Sequence, residues 1–497
     1  MQSLNPRQLA MFAEITAGLG VDFDADSRVH VEQSPGYIDS PIETHDLATA
    51  MLAAVARAIA TVGAARGLGS QDVTIDRRHA GLVLNSVAYH FQSGWQLDIA
   101  PVHTPVNAFY ETRDGRWIFY NGAYAHLREG ILQFLGCPGE REAIAAATRR
   151  YDAQALEDEL AARGLCASIA RSRQQWLDHP QGRALCGRPV VELIKLSDGP
   201  PQPLPECLFR PLERVRVLEI GRVLAGPTIG RTLAEQGADV IHCRHPYLDH
   251  IVPFEIETGW AKKSAYLDYK IPRDRQLLLE LLDSADVLVE GLRLGALDRV
   301  GLSPEALAAR NPGLIYVQEN GYGYGGPWDH RRGWEQLAQA ATGLAERHSA
   351  GGPLRLIPAY LGDYGTGLLG ALGVTAALLR RATEGGSWLV RVALAKTAML
   401  ATHYANNTAP QQPLAQHDLE RYLVDQESPL GLLTRVGPPM QFQRTPSLAA
   451  RSAAYPGADT LHLAWDDAPS ASPPTPPHRP TEIFRHGQVH WEGNQVL

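Results

Sequence analysis

The chain has 497 residues, of which 44% are hydrophobic and 20% charged, so it has material for two or three globular cores and is not compositionally disordered. A net charge of -8 provides no field that attracts a nucleic-acid backbone, and we expect no nucleic-acid partner. The N-terminal residues lack a secretion signal and no apolar run of about 18 residues is evident, so we expect a cytoplasmic protein with no membrane partner. Five scattered cysteines encode neither a disulfide framework nor a zinc site.

An internal repeat joins the beginning of the chain to its later part. Residues 46–75 align without a gap on residues 363–392, and nine of the thirty positions are identical, starting with Asp46 and Asp363. Both copies predict an aspartate, a long helix of small residues, a glycine-rich turn and a strand. Alanine-rich helices resemble one another by composition alone, but the shared Asp-x-x-Thr start and the shared Gly-Ser turn favour a true duplication.

Between the two copies the pattern changes twice. Residues 105–122 predict a hairpin that turns at Asp114-Gly115, and helical stretches follow as far as residue 149. The proline-rich segment 201–214 is typical of a linker.

After residue 400 periodicity is lost, and the prolines of 468–480 exclude a regular helix or ladder there, so we expect an irregular C-terminal segment over 401–497.

From residue 215 onward, short apolar strands alternate with helices. The predicted strands are 215–220, 238–243, 286–291 and 314–321, with helices over 228–236 and in the segment 272–285. Ser303-Pro304-Glu305 predicts a helix start between the last two strands. This alternation indicates an α/β fold with a Rossmann-like parallel sheet covered by helices, accompanied by a smaller α+β domain.

The motifs in this region resemble those of the family III CoA-transferases, which include formyl-CoA transferase, the carnitine CoA-transferases and the 2-methylacyl-CoA racemases. The resemblance rests on RVLEIGRVLAGPTIGRTLAEQGADVI (216–241), KKSAYLDYK (262–270), the segment 285–327 with ADVLVEG and NPGLIY, and GDYGTG (362–367). These motifs are specific in combination and cover residues 212–395. They imply the fold of that family and a transferase that moves CoA between carboxylic acids.

The N-terminal region resembles the part of such proteins that ordinarily follows the catalytic half. We therefore divide the chain into a degenerate second-half-like region (1–200), a linker (201–214), a Rossmann-like CoA-binding and catalytic domain (215–400) and the irregular segment (401–497). This order departs from the family, whose members are single-unit chains that form interlocked dimers. The resemblance implies a homodimer.

Asp363 is the candidate catalytic residue. It follows a glycine and precedes a helix expected near Thr366, so we expect the helix dipole to stabilise its ionised form, a nucleophile for thioesters. The resemblance implies an aspartyl anhydride and then an aspartyl-CoA thioester, which the acceptor acid attacks. The candidate oxyanion and loop residues are Gly323, Gly325, Gly326 and Gly362. The plain alternative for Asp363 is a structural helix cap.

The resemblance also implies residues that bind coenzyme A. Coenzyme A needs apolar walls for its pantetheine and adenine and cations for its phosphates. The candidates are Val223, Leu224, Ala225, Lys262, Lys263, Arg293, Arg299 and Arg332. Each cation alone is more often a solvated surface charge, and it is the set that favours a binding site. His245 occupies the place of a basic residue of the family. His242, His245 and His250 lack the spacing of a metal site, and we expect no metal and no tightly bound cofactor, only CoA or acyl-CoA as substrate together with a carboxylic acid.

Three functional classes remain open. A racemase needs an acid/base pair, but the family's His-Asp position is Gly333-Trp334-Glu335 here, and an indole does not exchange a proton at neutral pH. A non-catalytic CoA-binding paralogue is consistent with the rearranged order, although the retained GDYGTG motif argues against it. A lyase that acts on acyl-CoA is not distinguished by the sequence, nor is the identity of the donor or acceptor acid.

Overall fold

A computed structural model describes residues 3–99, 104–406 and 411–466. The first hundred residues form helices and short strands around the first copy of the repeat. The helices are α1 (Pro6–Thr16), α2 (Thr44–Gly63) and α3 (Arg77–Val83), and the strands are β1 (Val29–Glu32), β2 (Val73–Asp76), β3 (Phe91–Gln92) and β4 (Trp95–Gln96). Strands β1 and β2 are parallel. The helix, turn and strand predicted for this copy are confirmed.

A small α+β region follows, with a three-stranded antiparallel sheet and its own core. Its elements are β5 (Phe109–Glu111), β6 (Trp117–Tyr120), α4 (Ala125–Leu135), α5 (Arg141–Thr148), α6 (Ala153–Ala162), β7 (Ala167–Ile169), α7 (Arg173–Asp178) and α8 (Pro180–Leu185). The hairpin of β5 and β6 closes around Asp114-Gly115 as predicted. Tyr110, Ile118 and Ile131 are buried together beneath the sheet. The smaller α+β domain is therefore present.

The largest sheet has seven strands and supports the rest of the molecule. In chain order its strands are β8 (Glu192–Lys195), β9 (Arg216–Gly221), β10 (Asp239–Arg244), β11 (Lys262–Tyr266), β12 (Val287–Gly291), β13 (Ile315–Asn320) and β14 (Trp388–Ala393). In space the order is β11-β10-β9-β12-β13-β14-β8, and all neighbours are parallel except β14 and β8. The predicted parallel sheet is confirmed. The strand order reverses at β9: the chain proceeds through β10 and β11 on one side of β9 and returns as β12 on the other side. In open α/β sheets ligands bind outside the carboxyl ends of the strands at such a point.

Helices cover this sheet on both faces. Helices α9 (Ala225–Ala234) and α15 (Leu361–Glu384) share one core with the strands, and α11 (Pro272–Leu282) and α12 (Pro304–Arg310) share the other. The remaining helices of this part are α10 (Val252–Thr258), α13 (Glu335–Thr342), α14 (Leu344–Ser349) and α16 (Leu394–His403). Ser303 caps α12 by accepting a hydrogen bond from the Ala306 amide, as its sequence predicts. Helix α15 is the second copy of the repeat helix and packs against α2 and α9 in the main core.

Within the described residues, the helix of the first copy is the one helix that is long and apolar enough to cross a membrane. Residues 44–68 are long and apolar enough to span a membrane by length and composition, which contradicts the expectation that no such run exists. However, 89% of the most apolar window is buried inside the protein. The apolar side chains of α2 are accounted for by the core that it shares with α15.

The C-terminal segment is more regular than its sequence predicts. It contains α17 (Gln416–Glu420), β15 (Leu423–Ser428), β16 (Gly431–Val436) and β17 (Gln441–Phe442). The hairpin of β15 and β16 extends the sheet of β3 and β4, and β17 pairs with β2. The expectation of an irregular segment is wrong for 423–442, because these residues complete sheets that begin near the N-terminus. The prolines of 468–480 lie outside the described residues.

Candidate active site

A cavity of about 490 Å³ opens at the carboxyl ends of β9, β12 and β13. Its lining includes Val223 and Ala225 after β9, Arg293 and Arg299 after β12, and Asp363 near the start of α15. The position agrees with the reversal of strand order between β9 and β12. Residues from three segments that are distant in sequence therefore meet in one space.

The small α+β region forms the opposite wall of this cavity. Tyr124, His126 and Leu127, at the start of α4, and Cys166, before β7, line it. The guanidinium of Arg222 lies 4.8 Å from the centre of the Tyr124 ring, within the range of a cation–π contact. Both walls of the cavity thus come from a single chain.

Six arginine and lysine side chains line the cavity. Arg331 donates to the Glu157 and Ala167 carbonyls, and the other five are named here the cation cluster: Arg222, Lys270, Arg293, Arg299 and Arg332. Burial lowers the pKa of Arg293, and the neighbouring Arg332 and Arg299 lower it further. Within the described residues, Arg293, Arg299 and Arg332 are in no salt bridge, although the chain has more acidic than basic residues. Like charges held together without counter-ions form a site suited to a multiply charged anion.

Three carboxylates that line the same cavity are named here the acid cluster: the buried Asp363 and Glu335 and the partly exposed Glu319. Burial raises the pKa of Asp363 well above its usual value, and the charges of Glu335 and then Glu319 raise it further. Burial raises the pKa of Glu335 and that of Glu319 to about 7 each. Glu319 and Glu335 therefore titrate near neutral pH, and the pKa of Asp363 is raised well above the usual range of an aspartate. Such perturbed acids are typical of sites of acid and base chemistry.

Glu335 is held in place by its hydrogen bonds. Gln339 Nε2 donates to both of its carboxylate oxygens at 2.8 and 3.0 Å, and the Gly362 amide donates to Oε1 at 3.1 Å. Gln339 is itself oriented, because its Oε1 accepts from the Ile357 amide. The bond from Gly362 ties Glu335 to the turn of chain that carries Asp363.

The expected environment of Asp363 is wrong in two respects. Helix α15 begins at Leu361 rather than near Thr366, so Asp363 lies inside its first turn. Its pKa is raised and not lowered, because burial and two neighbouring acids outweigh the helix dipole. The carboxylate is consequently less stable in its ionised form than the sequence suggested.

The candidate glycines have a packing role in the structure. A Cβ atom at Gly323 would lie 2.5 Å from Leu185, one at Gly325 2.6 Å from Arg188, and one at Gly326 2.3 Å from Gln181. These glycines permit α8 and the chain just after it to approach the loop after β13, and they do not line the cavity. The Gly362 amide donates to Glu335. None of the four presents the oxyanion donor that we expected.

Two of the candidate phosphate ligands also lie elsewhere. Lys262 and Lys263 begin β11, at the amino end of the parallel strands. Lys262 Nζ is buried, 2.8 Å from Glu219 Oε2 and 2.6 Å from the Pro227 carbonyl, and Lys263 Nζ lies 3.0 Å from Asp239 Oδ1. Both lysines neutralise buried acids and leave the candidate set.

The loop after β9 separates the three apolar candidates. Val223 and Ala225 line the cavity, whereas Leu224 is fully buried in the core between them. Val223 has φ = 69°, in the left-handed region that a β-branched residue rarely adopts. Such strain, of order 1–3 kcal/mol, is typical of functional sites.

The histidines of the β10 loop do not form a metal site. His245 Nε2 lies 3.4 Å from Asp268 Oδ1 and lines a small apolar recess beside the main cavity. His242 is buried near Glu219, and His250 lies near Glu255. Within the described residues no group of acidic, histidine and cysteine side chains is arranged to hold a metal ion.

Sequence reasoning missed several residues of the cavity. Glu319 ends a predicted strand on the ligand side of the sheet, so its position was a usable signal. Glu335 was named only because Gly333-Trp334-Glu335 occupies the position of the racemases' His-Asp pair. Arg222 and Lys270 lie inside the motifs 216–241 and 262–270 but were not predicted as binding residues. Tyr124 carries no local signal, because only the tertiary fold brings it to the cavity.

The comparisons with known proteins agree on one family. The model of CoA-transferase family III matches residues 212–425. An acyl-CoA transferase of Gibberella moniliformis is 31% identical over 77% of this chain and 75% of its own length. An acetyl-coenzyme A transferase of Hypoxylon pulicicidum is 33% identical over 58% of this chain, and a formyl-CoA:oxalate CoA-transferase of Rhodopseudomonas palustris is 33% identical over 43%.

Coverage of these relatives is partial. The chain spans about half the length of several of them, 53% for the Hypoxylon and Rhodopseudomonas proteins. Among solved structures, a CAIB/BAIF family protein from Brucella suis is 27% identical over 45% of this chain and 65% of its own length, with a TM-score of 0.36.

Proposed function

The chain belongs to CoA-transferase family III, and we propose that it moves coenzyme A from an acyl-CoA to a carboxylic acid through a covalent intermediate on Asp363. One observation carries the proposal: a buried carboxylate and a cluster of arginines without counter-ions line the same cavity. A nucleophile for a thioester and a site for phosphates are the two components that this reaction needs.

The cation cluster binds the phosphates of coenzyme A in this proposal. Arginine forks match phosphate oxygens in bidentate geometry, and Arg293, Arg299 and Arg332 are free to form such contacts. Val223, Ala225 and Leu292 give the cavity apolar surface against which the pantetheine chain packs. The thioester then lies toward the acid cluster.

Transfer proceeds through four successive acyl substitutions. An Asp363 carboxylate oxygen attacks the thioester carbonyl, the C–S bond breaks, and CoA thiolate and an aspartyl anhydride form. The thiolate attacks the aspartyl carbonyl and releases the first acid as its carboxylate, which leaves an aspartyl-CoA thioester. The acceptor carboxylate attacks this thioester, CoA thiolate departs again, and its attack on the new acyl carbonyl restores Asp363.

The acid cluster adjusts the reactivity of Asp363. A carboxylate whose pKa is raised by burial and by neighbouring acids is a stronger nucleophile once it has ionised. Glu335, fixed by Gln339 and the Gly362 amide, holds a negative charge beside it. Asp363 must lose its proton to react, so transfer is expected to become faster as the pH rises.

A single chain has both walls of the cavity, because Tyr124 and His126 come from its own N-terminal region. Binding of coenzyme A therefore does not require a second copy. The homodimer that the family resemblance implies stays a prediction, which light scattering checks against the chain mass of 54.2 kDa.

The proposal is tested by incubating the protein with an acyl-CoA and a panel of isotope-labelled carboxylic acids and measuring labelled acyl-CoA. We expect label in the thioester with the wild type and none with Asp363→Asn, while Asp329→Asn, in another acid lining the cavity, retains transfer. The same reactions in D₂O distinguish the racemase alternative. Exchange of the α-proton without transfer of CoA would contradict the proposal.

A further inference from the structure

The two copies of the repeat have the same elements at the same spacing, so their residues can be compared position by position. Helices α2 and α15 begin 317 residues apart, and so do α3 and α16, which follow the repeat strands. The residues that precede α2 and α15 share an unusual conformation: Glu43 has φ -77° and ψ 54°, and Tyr360 has φ -85° and ψ 55°. The duplication therefore extends beyond the aligned thirty residues.

The strands around the repeat match as well. Strand β2 has a parallel neighbour, β1, and an antiparallel neighbour, β17, as β14 has β13 and β8. Ile75 pairs with Val31, and its counterpart Val392 pairs with Glu319. The first copy thus has a buried valine where the second has a member of the acid cluster.

The repeated aspartates differ in what they contact. Asp46 accepts hydrogen bonds from Arg77 Nε at 2.6 Å and from Gln8 Nε2 at 2.8 Å, and it is buried with both. Arg77 begins α3, and the residue at the same position of α16 is Leu394. Leu394 lines the cavity together with Asp363.

Leu394 and Asp363 line the same cavity, and a hydrogen bond joins the helices that carry them. The hydroxyls of Thr366 and Thr397 lie 2.6 Å apart and join α15 to α16. Asp363 and Leu394 each lie three residues before these threonines, close to one turn along their helices. In the first copy the corresponding aspartate and arginine are in direct contact.

We propose that Leu394 is a positioning residue that keeps Asp363 without a counter-ion, and that Arg77 silences Asp46 in the first copy. This inference rests on the proposed function. An arginine in contact with a carboxylate occupies its oxygens with charge-assisted hydrogen bonds and lowers its nucleophilicity. A leucine offers no donor, so the Asp363 oxygens stay available to a thioester. One reactive site per chain follows.

The test transfers the arginine of the first copy into the second. We expect Leu394→Arg to lower turnover at least about 100-fold, because the reacting carboxylate is blocked and misplaced. In the pH profile of the remaining activity, the rise on the acid side should move to lower pH. Leu394→Met, which preserves an apolar side chain, should remain within about fivefold of the wild type. Thermal unfolding of both variants establishes that they fold.

A second variant tests the silent copy. Asp46→Leu combined with Arg77→Met replaces the buried pair by apolar residues, a change that is often neutral for stability, and should leave turnover unchanged. Loss of turnover in this folded double variant would overturn the inference but not the proposed function. The same holds if Leu394→Arg leaves both the turnover and the pH profile of the enzyme unchanged. An equal loss in Leu394→Arg and Leu394→Met would also overturn it. A wild-type chain that transfers no CoA would overturn the proposed function and this inference together.

Discussion

Replacing Glu335 by glutamine removes one ionisable group from the acid cluster while it preserves the shape of the side chain. Burial raises the pKa of Glu335 from 4.5 to about 7, against smaller opposing effects of Gln339 and the Gly362 amide. An acid whose folded-state pKa is raised adds stability below its unfolded-state pKa and loses it as the pH rises through the folded-state pKa. The wild type should therefore lose stability between about pH 4.5 and 7, and Glu335→Gln should not show this part of the loss.

The expected size of the effect follows from the pKa. A change from 4.5 to about 7 corresponds to about 3 kcal/mol, since one pKa unit is worth about 1.4 kcal/mol. At pH 4.5 the buried Glu335 is protonated and resembles glutamine, so the two proteins should be equally stable. At pH 8 we expect the free energy of unfolding of Glu335→Gln to be higher by about 3 kcal/mol.

Urea unfolding followed by tryptophan fluorescence at pH 4.5 and pH 8 measures this difference. Glu346→Gln is the matched control, because Glu346 is an exposed glutamate on the adjacent helix α14 and should show no gain at either pH. A stability difference that is equal at both pH values, or a loss at pH 8, would refute the assignment of Glu335 as a buried acid that is destabilising when ionised.

Other predictions concern the cavity and its surroundings. Arg299→Glu should weaken CoA binding at least tenfold, measured by titration calorimetry, and added salt should weaken wild-type binding. The control is Arg310→Glu, because Arg310 lies in an exposed ion pair with Asp283. Unaltered CoA affinity in Arg299→Glu would remove that residue from the site. Lys262→Met should leave Glu219 buried without its partner and destabilise the fold by about 3–5 kcal/mol, so a folded variant with weakened CoA binding would restore Lys262 to the phosphate site. The value of kcat/KM should rise with pH as Asp363 ionises. Glu335→Gln should move this rising part of the pH profile to lower pH, because a neighbouring negative charge is removed. A profile that stays in place would contradict the coupling of these two acids.

Local patterns predicted the parts of the fold that depend on local chemistry. The strands of the large sheet, the Ser303 cap of α12 and the Asp114-Gly115 hairpin follow from apolar runs, capping and turn residues. The pairing of β17 with β2 does not, because it joins residues almost 370 positions apart and nothing local in Gln441–Phe442 specifies a partner. The same limitation explains why 423–442 was expected to be irregular.

The candidate site shows the same division. Asp363, Arg293, Arg299 and Arg332 line the cavity at the carboxyl ends of the strands, and motif position was sufficient to bring them together. A basic residue in a motif does not show which way it points: Lys262 neutralises a buried glutamate. The raised pKa of Asp363 could not be predicted either, since it depends on burial and on Glu319 and Glu335, which approach it only in the tertiary structure.

The most direct test of the account is to locate the covalent intermediate. The protein is incubated with an acyl-CoA, trapped with hydroxylamine, digested and analysed by mass spectrometry. We predict a hydroxamate on the peptide that contains Asp363, none on the peptide that contains Asp46, and no adduct in Asp363→Asn. An adduct on Asp46, or labelled acyl-CoA formed at the wild-type rate by Asp363→Asn, would contradict the assignment of Asp363 as the nucleophile.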